Sequence, residues 1–306
     1  MKFAAIDIGS NAIRLLIEEV HLDGDEYHIE KVSLTRVPVR LGDDVFATGK
    51  ISDEKIRQLV KTMRAFWYLM DVHHIEYFRA CATSAMREAS NRKAVIDRVK
   101  LEANILIEVL SGDEEANLIF ENFFAQNLNP ASNYLYIDVG GGSTELTLIK
   151  KGKRIKGQSF DIGTVRMLAN AVKKETWQKA RKWISSSIDK QDKLIAIGTG
   201  GNINTLFKIQ GKKPSELLLK KELQDQYQNL TALTVEQRIT RMRLRPDRAD
   251  VIVPACEIYL KLMECAGIRE MLVPKIGLAD GIILEIFNKW KKSRQRKSGA
   301  MTMRID

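Results

Sequence analysis

Residues 3–17, FAAIDIGSNAIRLLI, and residues 135–149, LYIDVGGGSTELTLI, are one pattern used twice. Each is a β-rich run reaching an aspartate, a turn of small residues, and a second β-rich run. Asp7 matches Asp138 and Gly9 matches Gly140, and the 131 positions between the two copies are too many for a solenoid repeat. The spacing fits two similar domains, each opening on a β-hairpin with a glycine-rich tip.

The 306 residues agree with two domains, and 44% hydrophobic with 29% charged residues excludes a disordered, collagen-like or disulfide-scaffold chain. Cys81, Cys256 and Cys265 have neither metal-site nor disulfide-framework spacing, and the four histidines offer little to a zinc centre. The chain enters a strand-like run at once, with no export signal, and no apolar run approaches the roughly 18 residues of a membrane span. A soluble cytoplasmic protein without a membrane partner is expected. Lysine and arginine exceed aspartate and glutamate by 10, a surplus that favours polyanions, and part of it lies in the tail Lys289–Lys297, KWKKSRQRK. That tail reads equally as a solvated helix end.

Between and after the hairpins, strands and helices alternate. Ser52 has the character of an N-cap for a helix to about Leu69, YFRACATS that of a strand, and 105–110 another. A strand, turn and helix are expected over 194–207, polar helix over 214–229, and apolar helix over 248–266 with Pro254 marking a kink or a boundary. A strand near Leu272 and a terminal helix from Leu278 complete the pattern. The linker-like composition near 124–133 sets expected domains of 1–126 and 127–306, with the terminal helix packing back on the first.

Three glycine-rich turns carry the chemical signal: Asp7–Asn11 (with Gly9 and Ser10), Asp138–Thr144 (with Gly140, Gly141, Gly142 and Ser143) and Gly198–Asn202 (with Thr199, Gly200 and Gly201). Consecutive N–H groups of such turns form anion-binding concavities, and glycine lets the backbone approach a ligand closely. A P-loop fails because Gly49-Lys50 and Gly211-Lys212 lack a following Ser or Thr; a dinucleotide fingerprint fails because Glu145 stands where glycine is needed. Asp138 and Glu145 face one hairpin mouth and suit Mg²⁺ beside phosphate, or else form a polar cross-strand pair. Ser111 and Glu114 have capping-box spacing, which leaves Glu115 either aimed at a cleft as a general base or serving the helix dipole. Arg87, after Thr83 and Ser84, is an oxyanion receptor at a helix start or an exposed surface arginine.

Together AAIDIGSNAIRLLI, RLGDDVFATGKIS, ACATSAMREASN, EVLSGDEEANLIF, YIDVGGGSTELTLI, IAIGTGGNINTL and RADVIVPACEIYLKLMECAGI resemble the exopolyphosphatase/guanosine pentaphosphate phosphohydrolase (Ppx/GppA) family, in its short form. That family belongs to the superfamily of actin, sugar kinases and heat-shock ATPases. The resemblance implies an α/β fold of two RNase-H-like domains with an interdomain cleft. It implies Mg²⁺-dependent hydrolysis of a terminal phosphoanhydride, with Glu115 catalytic, Asp138 and Glu145 holding metal, and the three turns with Arg87 binding phosphate. Ala12 and Asn202 depart from the hydroxyl residues common in the family. Inorganic polyphosphate is the expected substrate; guanosine pentaphosphate hydrolysis, a non-hydrolysing sensor and a kinase are the rivals. No sequence-specific nucleic-acid partner is expected, and a homodimer stays open.

Overall fold

The computed structural model describes residues 1–24, 26–124, 129–189 and 192–302, with side chains for all but 121–124 and 295–302. The first half runs β1 (Lys2–Ile8), β2 (Ile13–Asp23), β3 (Glu26–Val37), α1 (Leu41–Thr48), α2 (Asp53–Val72), β4 (Tyr77–Ala82), α3 (Ser84–Glu88), α4 (Arg92–Ala103), β5 (Ile107–Val109) and α5 (Gly112–Phe124). The second begins β6 (Asn133–Val139), β7 (Thr144–Lys150), β8 (Lys153–Phe160), α6 (Thr164–Leu168), α7 (Lys174–Ser187), β9 (Leu194–Thr199) and α8 (Gly201–Ile209). It continues β10 (Leu218–Leu219), α9 (Lys220–Thr231), α10 (Val235–Thr240), α11 (Pro246–Ala249), α12 (Ile252–Cys265), β11 (Glu270–Leu272) and α13 (Leu278–Thr302). The expected boundary between 126 and 127 lies outside the described residues.

Both halves use the same sheet. The first is ordered β3-β2-β1-β4-β5 and the second β8-β7-β6-β9-β11-β10. In each, the hairpin and its third strand are antiparallel and the next two strands run parallel to the first, while β10 adds an antiparallel edge to the second sheet. The expected pair of RNase-H-like domains is therefore present, and the repeat extends well past the hairpins.

The two-residue period of a strand decides which face each side chain takes. Ala4, Ile6 and Ile8 of β1 pack outward into the core under α2 and α4, while Phe3 and Ala5 pack inward. Asp7 shares their parity. On β6, Leu135, Ile137 and Val139 face the outer core and Tyr134 and Tyr136 the inner one, so Asp138 also points inward. Both aspartates sit at the carboxyl ends of their strands, where parallel α/β sheets present ligand sites.

The inner faces sandwich two helices. Leu118 and Ile119 of α5, with Ile282, Ile283 and Phe287 of α13, bury themselves between Phe3, Leu16, Tyr136 and Ile197. A Cβ on Gly281 would overlap the Leu118 carbonyl, so α5 and α13 cross at backbone contact. Ion pairs join the halves around this core: Arg40–Asp250 (2.8 Å), Lys31–Asp280 (2.9 Å), Arg36–Asp247 and Arg79–Glu285.

Ser52 caps α2 by accepting from the Lys55 N–H. Pro254 marks a boundary, not a kink: α12 starts at Ile252, and proline in a first turn loses no intrahelical bond. The expected helix over 214–229 is instead the short strand β10 followed by α9. Strands β3 and β8 carry polar residues on both faces as they run beside the hairpins, so neither shows a clean alternation. Among the described residues no helix is long and apolar enough to cross a membrane.

Glu18, on the inner face of β2, is buried beside Asp280 and Lys31, and burial together with Asp280 raises its pKa from 4.5 to about 7. Between those values the folded chain binds more protons than the unfolded chain, so this residue costs stability as pH rises through the window. Glu18→Gln should raise stability by on the order of 2 kcal/mol at pH 8 and by much less at pH 5, read from urea unfolding at both values.

Candidate active site

The two hairpin tips are built alike and meet. Gly9 N–H donates to the Ala12 carbonyl at 3.1 Å, and Gly140 N–H to the equivalent Ser143 carbonyl at 2.9 Å. Behind the first tip, Gly42 and Arg40 N–H groups take the Ser10 and Asn11 carbonyls at 2.8 and 3.1 Å. Behind the second, Thr164 N–H takes the Gly140 carbonyl at 3.1 Å, while Val165 and Arg166 N–H groups share that of Gly141 at 2.8 and 3.1 Å. With carbonyls bound from the rear, amide hydrogens are left for the front, the polarity an anion requires.

A Cβ on Gly141 would lie 3.0 Å from the Ser10 Cβ and 3.2 Å from the Asn11 N, and one on Gly142 would overlap Ser84 and Phe46. The lobes thus touch through glycine backbone, with Ser10 Oγ and Ser84 Oγ 2.9 Å apart. A cavity of about 90 Å³ remains between them, room for one small anion and a few waters. Its wall includes Asp7, Gly9, Ser10, Asn11, Thr83, Glu115, Asp138, Gly140, Gly141, Ser143, Gly200 and Gly201. Gly200 has φ +105, a conformation suited to glycine, and caps the start of α8.

Glu115 is nearly buried and its Oε2 has no hydrogen-bond partner. Glu114 takes the capping role, accepting from Ser111 N–H and Oγ–H at 2.8 Å, which frees Glu115 to face inward. A Cβ on Gly112 would overlap Ser159 of β8, so glycine allows the start of α5 to come this close. Burial, then Glu145, Asp138 and Asp7, push the Glu115 carboxyl well above its ordinary range, with Arg87 opposing. Asp138 and Glu145 are direct cross-strand partners. Burial raises Asp138 to about 6, and burial plus Asp138 raises Glu145 to about 7.

The remaining expected residues stand behind the wall. Glu145 accepts from Ser159 Oγ–H at 2.7 Å, and Thr144 Oγ–H donates to the Ile162 carbonyl at 2.5 Å. Gly198 lies against Met271, and the Thr199 hydroxyl bonds Tyr136. Gly142 faces the opposite lobe rather than the cavity. Arg87 donates to the Leu110 carbonyl at 2.8 Å and reaches the carboxylates through charge alone.

Two arginines were not anticipated. Arg14 lies opposite Asp7 across the first hairpin and bonds it at 2.6 Å. It occupies the position that Glu145 holds in the second, seven residues after the aspartate, so reading the two copies against each other at that position reveals it. Arg248 lines the cavity against Gly201, donating to Asn202 Oδ1 at 2.6 Å. Burial, with Arg36 and Arg14 nearby, disfavours its charge and leaves an excess of positive potential for an anion to neutralise. No local motif announces it. Asn202, one of the two departures noted above, is thus the residue that holds Arg248.

Among the described residues no group of three or more His, Cys, Asp or Glu side chains forms a metal cage. The donor set does fit Mg²⁺, which takes one or two carboxylates and completes its shell with water and phosphate oxygens. Asp138 and Glu145 are buried side by side across the hairpin, each disfavouring charge on the other, and Glu115 keeps an unpartnered oxygen, a setting in which a cation is favoured.

Gly163 adopts an extended conformation open to any residue, yet a Cβ there would overlap the backbone of Gly141 and Gly142. Gly163→Ala should therefore destabilise the protein by about 1–3 kcal/mol in urea unfolding, because backbone has to move.

Three comparisons bear on the chain's relatives. The family model described as Ppx/GppA phosphatase family matches residues 22–290. Exopolyphosphatase 2 of Mycobacterium tuberculosis is 29% identical over 93% of this chain and 98% of its own length. A bifunctional 3-dehydroquinate synthase/phosphatase of Fusobacterium nucleatum is 30% identical over 92% of this chain and 46% of its own length. The crystal structure of an exopolyphosphatase from Cytophaga hutchinsonii has the same fold, with TM-score 0.81 and 24% identity over 94% of this chain and 98% of that one. The Aquifex aeolicus member of the Ppx/GppA family is similar at TM-score 0.74 and 26% identity, covering 94% and 98%. The touching glycine turns, the buried carboxylates and these matches lead to one assignment: the chain belongs to the Ppx/GppA phosphatase family.

Proposed function

We propose that the protein is an exopolyphosphatase, releasing orthophosphate from the end of inorganic polyphosphate with Mg²⁺ held by Asp138 and Glu145. The observation that carries this reading is Glu115: a buried carboxylate with a free oxygen, on the wall of a cavity whose other walls are anion-binding turns from both lobes.

The terminal phosphoryl group sits in the cavity with its oxygens toward the amides of the Gly9–Asn11 and Gly140–Ser143 turns. Arg14 and Arg248 neutralise its charge and that of the next unit. Glu115 takes a proton from a water at the cavity wall, the water oxygen bonds to the end phosphorus, and the bridging P–O bond breaks. Its raised pKa makes it a stronger base than an exposed carboxylate once ionised. Arg87 opposes that rise and keeps the ionised form accessible. Bound Mg²⁺ supplies charge neutralisation at the phosphate oxygens. The cavity's size favours a chain end over an internal unit, and the surplus of 10 positive charges suits a long anionic chain.

The test is phosphate release from polyphosphate and from guanosine pentaphosphate, side by side, by wild type and Glu115→Gln. Wild type should prefer polyphosphate, and Glu115→Gln should lose about 1,000-fold or more in kcat with little change in KM. Wild-type kcat/KM should climb with pH above the ordinary carboxylate range as Glu115 loses its proton. Faster turnover of the nucleotide would replace the substrate assignment, and full activity of Glu115→Gln would remove the mechanism.

A further inference from the structure

Arg166 reaches both lobes from one buried position. Its side chain is 8% exposed, and Nε donates to the Gly142 carbonyl at 2.7 Å. With the α6 backbone holding Gly140 and Gly141, this completes the capture of three successive carbonyls of the second turn. The same guanidinium extends Nη2 to Glu88 on α3 of the first lobe and lies 4.1 Å over the Phe46 ring of α1. Asp161, 66% exposed, stands 3.9 Å from Nη2, a loose ion pair within the second lobe.

We infer that Arg166 is a positioning residue that makes the amide-forward geometry of the 140–144 turn depend on closure of the two lobes. This rests on the reading of that turn as a phosphate cradle. A guanidinium presents a fixed fork of donors, so Nε meets Gly142 squarely only while Nη2 and the ring plane have their own partners. In the closed arrangement those partners, Glu88 and Phe46, belong to the other lobe. When the lobes part, a buried cation does not stay unpaired, and Asp161 is the carboxylate within reach. Turning toward Asp161 withdraws Nε from Gly142, and the peptide that follows is released to rotate. The first lobe mirrors the arrangement: the Arg40 N–H holds the Asn11 carbonyl while its side chain pairs with Asp43 and, across the cleft, with Asp250. The repeated hairpins thus each rest on a corner whose arginine is anchored in the opposite half.

The experiment compares full-length wild type, Arg166→Gln, Arg166→Lys, Glu88→Gln and the Arg166→Gln/Glu88→Gln double variant. Readouts are kcat and KM for phosphate release from polyphosphate, and amide hydrogen exchange across 138–147. Arg166→Gln should lower kcat by about tenfold or more with KM changed less than about threefold, because a misplaced cradle costs turnover before it costs binding. Arg166→Lys should recover less than about a third of that kcat, since one ammonium cannot reproduce the fork. The double variant should be no worse than Arg166→Gln. Exchange at 140–144 should accelerate in Arg166→Gln and, by a smaller factor, in Glu88→Gln. Unchanged exchange in both, or additive kinetic losses in the double variant, overturns the inference. Glu88 lies on the surface, so its variant keeps the test open if Arg166→Gln does not fold. Should wild type release no phosphate from polyphosphate, the function reading fails while the exchange comparison still decides this one.

Discussion

A turn can offer its amide hydrogens to an anion only if something else occupies its carbonyl oxygens, and much of this molecule follows from that requirement. Both hairpin tips meet it alike, with the first amides of a short helix bonded to the tip's carbonyls from behind. That helix needs a third antiparallel strand to deliver it, which explains why β3 and β8 accompany the hairpins although neither buries much. It also explains Gly163, which comes so close to the turn it supports that a methyl group has no space.

The two halves share geometry and differ in charge. Seven residues after each aspartate the first hairpin has Arg14 and the second Glu145, both paired across the strand with that aspartate. One half therefore presents a neutralised pair, and the other a buried pair of carboxyl groups. A phosphate needs positive charge on one side and, where a divalent cation accompanies it, negative charge on the other. The division between the lobes provides both around one cavity of about 90 Å³. Arg248, crowded by Arg14 and Arg36, adds to the positive side.

Much of this was legible in the sequence, for physical reasons that differ from residue to residue. Asp7 and Asp138 could be placed because strand parity is a local property and the repeat showed it twice. Glu115 was ambiguous: an acid in a first helical turn looks the same whether it serves the dipole or a cleft. What separates the two readings is the approach of Gly112 to Ser159, a contact between distant parts of the chain. Arg248 was illegible for the same reason, since its site exists only once α11 packs over the start of α8. Arg87 was legible as a cation near the acids but not as one bonded to the Leu110 carbonyl. Strand β3 lacked a period because water reaches too much of it.

Helices α5 and α13 lie between the sheets in backbone contact, and Glu115 of α5 and Leu278 of α13, each within a turn of that crossing, both line the cleft. The two helices form a layer shared by both halves, since α13 packs on β1, β2 and β4 and α5 on β7 and β8. Glu115 sits one turn into α5 and so belongs to that shared layer, whereas each glycine turn belongs to one sheet. The carboxylate with the free oxygen is thus fastened to what the two halves have in common, and its place does not depend on either sheet alone.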